Sequence, residues 1–121
     1  MAKTFSMVIG FVFLFLGILG FFFEHLFGIF HLDIVHNTVH LAVGICGVLA
    51  SAKDSYSAVF SRLLGILFLI IGLAGFFSPD LFGLMHVGIA ENILHLIVGA
   101  LSLYIGFRSV TEQPQTISKS A

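Results

Sequence analysis

Charge is what this sequence has least of. Of its 121 residues only 9% are Asp, Glu, Lys or Arg, against about 25% in an ordinary soluble domain. Hydrophobic residues make up 59%, and the mean hydropathy is +1.15. A soluble fold is excluded on this ground, and the length predicts one integral membrane domain over residues 1–121. The net charge of −1 offers no basic surface, so nucleic acid is not an expected partner. One cysteine, Cys46, rules out an intrachain disulfide. It lies in an apolar run and reads as a small apolar filler. Also missing are a phosphate-binding loop, a nucleophile paired with a base, and a soluble segment large enough to hold a substrate. An enzyme is not expected.

What is present is four apolar runs. Phe5–Phe23 holds nineteen residues, polar only at Ser6. At 1.5 Å per residue it reaches about 28 Å, close to the hydrocarbon thickness of roughly 30 Å. The second run spans Asp33 to about Ala52, with Asp33 placed as an N-cap. The third covers Phe60–Phe77 and stops at Ser78-Pro79-Asp80, because proline cannot continue the helix ladder. The fourth is Gly88–Phe107. Residues 51–61 read as a polar turn, and 109–121 as a disordered polar tail.

The sequence repeats itself at an offset of 55 without a gap. From Phe5 to Lys53, 19 of 49 positions are identical to their mates in 60–108. Phe5-Ser6 falls on Phe60-Ser61, Leu26-Phe27-Gly28 on Leu81-Phe82-Gly83, His31 on His86, Asn37 on Asn92, and His40-Leu41 on His95-Leu96. The repeat units are 5–53 and 60–108, each a two-helix hairpin. Two crossings per unit return the chain to the side where it started. The predicted pseudo-two-fold axis therefore runs along the membrane normal, a parallel repeat. The predicted fold is all-α, a four-helix transmembrane bundle of two tandem hairpins.

Lys3, Lys53, Arg62, Arg108 and Lys119 all fall at one end of these hairpins, and Glu24, Asp33, Asp80 and Glu91 at the other. The positive-inside rule predicts a multi-pass protein of the cell membrane with both termini cytoplasmic. All six histidines (25, 31, 36, 40, 86 and 95) then lie in the outer half.

Two kinds of stripe run down the predicted helices. Gly10, Gly17, Gly20, Gly44 and Gly47, with Gly65, Gly72, Gly75 and Gly99, form small-residue seams for close helix packing. The other stripe is polar. Asp33, His36, Asn37 and His40 share one face of the second helix, and Glu91, Asn92 and His95 share one face of the fourth. Polar groups in lipid must face protein, water or a ligand. Three readings stay open. In the first, the stripes are interhelical hydrogen-bonding residues of a non-enzymatic packing module, surrounded by lipid as a homo-oligomer or as a subunit of a larger membrane complex. In the second, His36, His40, Glu91 and His95 bind one transition metal or a haem, with Asp33, Asn37 and Asn92 orienting them. In the third, the stripes line a proton or small-solute pathway. His31 and His86 read as interfacial residues, and His25 as solvent-exposed.

The string D-x2-HN-x2-HL-x2-G-x2-G at Asp33–Gly47, with L-F-G ahead of it at Leu26–Gly28, resembles the domain-of-unknown-function family 4383 of small four-span bacterial membrane proteins. The likeness runs from about Phe5 to Phe107. It implies a polytopic membrane protein and names no activity. The second unit keeps the motif in part, as G-x2-EN-x2-HL-x2-G-x2-S.

Overall fold

The computed structural model describes residues 1–23, 25, 26, 30, 31 and 33–112. It is an all-α bundle. Helix α1 is Ala2–Phe22, α2 is Ile34–Ala50, α3 is Asp54–Phe77 and α4 is Ile89–Glu112. Between α1 and α2, strands β1 (His25–Leu26) and β2 (Phe30–His31) form a minimal antiparallel ladder with His25 opposite His31. Glu24 and the side chains of His25 and His31 lie outside the described residues. So does the expected polar tail from residue 113 on; α4 itself extends past Phe107 to Glu112.

Helix α3 begins six residues earlier than the polarity of 51–61 predicts. Lys53 takes the extended N-cap conformation, and Asp54 in the first turn suits the positive end of the helix. Ser57 Oγ donates to Ala50 O at 2.9 Å, tying this turn to the end of α2. Only residues 51–53 separate α2 from α3. Here local capping outweighs the lipid preference that sequence polarity reports.

Helices α1, α3 and α4 are long and apolar enough to cross a membrane. Helix α2 is apolar but shorter, at 17 residues. The burial pattern is that of a protein in lipid. Serines 6, 57, 61 and 102 are fully buried, as are Asn37, Glu91 and Asn92, while Phe11, Phe15, Leu63, Ile70 and Leu101 are exposed. Bundles in lipid keep their polar groups inside and satisfy them there.

The tightest packing pairs α1 with α2 and α3 with α4. Glycine makes it possible. A Cβ on Gly44 would come 2.6 Å from Leu14 N, and one on Gly10 would come 2.7 Å from Val48 N. In the second hairpin, a Cβ on Gly65 or Gly99 would come 2.8 Å from Leu103 N and 2.9 Å from Leu69 N, respectively. Ser6 Oγ adds a hydrogen bond across the first hairpin to Gly47 O, at 2.6 Å. The hairpins join mainly along α1 and α3. There Phe13 and Phe68 meet with ring centroids 5.4 Å apart, in a core shared with Leu64. A second apolar cluster, Leu81, Met85 and Val87, closes the far end of the second hairpin.

Candidate metal centre

The site starts from the N-cap of α2. Asp33 Oδ1 accepts from His36 N at 2.8 Å and fixes where the helix begins. From that start, the 3.6-residue period turns positions 36, 37 and 40 to one face, and all three are buried. Helix α4 does the same with Glu91, Asn92 and His95. Its first turn is closed by Glu91, whose Oε2 accepts from Gly88 N at 3.2 Å. A carboxylate three residues into a helix suits the unsatisfied N–H groups there.

The asparagines face their own hairpins. Asn37 rests on Gly20 and Asn92 on Gly75, so closely that a Cβ at either glycine would overlap the amide. The histidines face the centre. His36 and His40 lie with ring centroids 4.2 Å apart, and His36 and His95 at 5.8 Å. His40 stacks on Phe13 at 5.2 Å, and His95 meets Phe68 edge-on at 5.1 Å.

Three imidazoles from two hairpins therefore converge. One nitrogen from each of His36, His40 and His95 lies within 4.8 Å of the other two, in a buried setting. An ion bound at 2.0–2.1 Å from each would draw these nitrogens to about 3.5 Å apart. The cluster needs to tighten by at most about 1.3 Å to match this. Nδ1 of His40 and Nδ1 of His95 are buried without a hydrogen-bond partner. Orphaned buried polar atoms are costly, and a bound cation would satisfy those lone pairs.

Glu91 is not part of this convergence. Of the four ligands expected from the sequence, His36, His40 and His95 form the group within 4.8 Å, and Glu91 Oε2 accepts from Gly88 N. Asp33 also stands apart, at the N-cap of α2. Besides capping α2, its Oδ2 accepts from His86 N at 3.1 Å, which links α2 to the connection before α4. His86 Nδ1 lies 3.2 Å from Asp80 Oδ1 in an exposed pair. Beside Asp33 and Asn37, a cleft of about 730 Å³ opens at the end of α1 and α2.

Sequence reasoning passed over Phe13 and Phe68. Their signal was present: they are identical at the offset of 55, on the helices that carry no histidine. Their role needs the cross-hairpin contact to be seen.

No curated protein and no solved structure showed a match to the chain. Over residues 3–108 the chain matches Domain of unknown function (DUF4383), and it belongs to that family.

Proposed function

We propose that this is a multi-pass protein of the bacterial cell membrane, with both termini cytoplasmic, that holds one transition-metal ion on His36, His40 and His95 in its outer half. The observation that carries the reading is the convergence of three buried imidazole nitrogens within 4.8 Å of one another. Imidazole is a ligand for zinc, copper, iron and nickel. A single ion fits this better than a haem, because His40 and His95 each pack against a phenylalanine and the three nitrogens converge on one point. The orientation rests on Lys3, Lys53, Arg62 and Arg108, all at the end away from the histidines. Helix α2 spans about 26 Å at 1.5 Å per residue, enough to serve as a fourth crossing.

A second reading has its own support. Asn37 and Asn92 seated on Gly20 and Gly75 are packing contacts, and the same stripes could serve only to hold helices together within a homo-oligomer or a larger membrane complex. Elemental analysis of the protein purified in mild detergent separates the two. The metal reading expects about one ion per chain after reconstitution, lost in His40→Ala and His95→Ala. Wild-type protein that stays metal-free, with variants that are merely less stable, leaves the packing role.

A further inference from the structure

We infer that the cleft beside Asp33 and Asn37 binds an amphiphile that ends in a primary ammonium group. This goes beyond the metal reading and uses none of its three histidines.

The cleft holds about 730 Å³, inside the range of roughly 300–1,000 Å³ typical of small-molecule sites. Its lining is mainly apolar. Phe21 and Phe22 come from the end of α1, Ile34 from the start of α2, and Leu84 from the connection before α4. All four are exposed, so an apolar ligand body gains by covering them.

Two polar side chains share the lining, Asp33 and Asn37, and both present oxygen. Asn37 is 2% exposed and its Oδ1 has no hydrogen-bond partner. A buried acceptor without a donor is costly. The soft χ2 of asparagine lets that oxygen turn to a donor in the cleft. Asp33 is half-buried, and its oxygens accept from His36 N and His86 N. Each carboxylate oxygen still has acceptor capacity. The backbone donors are neutral and leave the charge uncancelled. Among the described residues no cationic side chain pairs with Asp33; the His86 ring is paired with Asp80. Lys3, Lys53, Arg62 and Arg108 belong to the opposite end of the hairpins.

Two acceptors ask for a ligand that brings donors, and a carboxylate asks for positive charge. A primary ammonium supplies three N–H donors and one charge. Its bonds to a carboxylate are roughly twice as strong as neutral ones. An alcohol brings one donor and no charge, and a fatty acid is repelled.

The second hairpin lacks this combination. At the offset of 55, Phe76, Phe77, Ile89 and Asn92 repeat Phe21, Phe22, Ile34 and Asn37, but Gly88 stands where Asp33 does. Val87, 1% exposed, lies against Gly75 beside Asn92. One amine site per chain is therefore expected. An alkylamine and an ethanolamine phospholipid both carry the required chemistry, and the experiment separates them.

The test places the full chain in phosphatidylcholine nanodiscs and titrates it with dodecylamine bearing a photoactivated diazirine. Labelled residues are mapped by mass spectrometry. The expected result is saturable labelling at Phe22, Ile34 or Leu84, competed by plain dodecylamine and not by dodecanol. Asp33→Asn keeps the cap and removes the charge, and it should raise the half-saturating concentration at least about tenfold. If Asp33→Asn fails to fold, Val35→Trp, which narrows the cleft, should weaken labelling instead. Suppression by phosphatidylethanolamine added to the nanodisc assigns the site to a lipid headgroup; unchanged labelling assigns it to a free amine. Labelling that never saturates, equal competition by dodecanol, or wild-type labelling in the folded variant overturns the proposal. A protein that binds no metal leaves it standing.

Discussion

Asp33 and His86 tie the two hairpins together at the end of the bundle where α2 begins. The Asp33 carboxylate accepts from the backbone N–H of His86 at 3.1 Å with one oxygen, and caps α2 through His36 N with the other. One side chain thus sets the start of the helix that carries His36 and His40 and anchors the connection leading to the helix that carries His95. At the offset of 55 stands Gly88, which can do neither. Asp33→Ala should cost about 1–2 kcal/mol in unfolding free energy, the usual range for losing an N-cap plus one further bond. Asp33→Asn should keep most of it. Chemical unfolding in detergent reads both, and equal losses for Ala and Asn would refute the capping role.

Ser6 and Ser61, serines at the offset of 55, have opposite fates. Ser6 Oγ donates to Gly47 O across the hairpin, whereas Ser61 Oγ is buried with no partner. Removing the first should cost about 0.6 kcal/mol, and up to about 1.7, the range for interhelical bonds in lipid. Ser61→Ala should be neutral or stabilising, because it deletes an unsatisfied polar group. A larger loss at Ser61 than at Ser6 in the same unfolding assay would contradict this ordering.

Gly44 meets backbone, so its neighbour cannot swing away. Gly44→Ala would put a methyl group 2.6 Å from Leu14 N and 2.8 Å from Gly10 O. Overpacking of this kind costs about 1–3 kcal/mol. Cys46 lies on the exposed face of the same helix. Cys46→Ala there should change stability by less than about 0.5 kcal/mol. Comparable losses at the two positions would show that α1 and α2 do not approach as described.

Leu81, Phe82 and Gly83 form a left-handed turn, with φ of 44°, 58° and 88°. Phe82 is exposed and gains no burial from the strain. Left-handed backbone costs a residue with a Cβ about 1–2 kcal/mol. Phe82→Gly should therefore stabilise the protein by up to about 1 kcal/mol, after glycine's own unfolded-state entropy is subtracted. A lower unfolding midpoint would assign Phe82 a contact of its own, such as the lipid interface.

Metal occupancy should be visible as stability. At a free-ion concentration 100 times Kd, a ligand that binds only the folded state adds about 2.7 kcal/mol. The melting temperature of the wild type should rise on metal addition and fall back with a chelator. In His40→Ala it should not respond. A rise of equal size in that variant would place the ion elsewhere.

The sequence alone determined the medium, the number of helices and the faces they turn inward. Each follows from local periodicity: apolar runs long enough for a bilayer, polar residues spaced three and four apart, and glycines recurring on the packing side. The N-cap at Asp33 was legible for the same reason, since capping is a contact between near neighbours. The start of α3 at Asp54 was not, because polarity along the chain reports the lipid boundary and a helix can begin outside it. Tertiary structure alone decided which polar residues meet. His36, His40 and Glu91 carry equal weight in the stripe pattern, and the group within 4.8 Å holds His36, His40 and His95. It also decided that Phe13 and Phe68 wall the cluster and that Asp33 reaches His86. Those contacts depend on how one hairpin rotates and slides against the other. That rotation is set by packing between side chains distant in sequence, which periodicity along either helix does not encode.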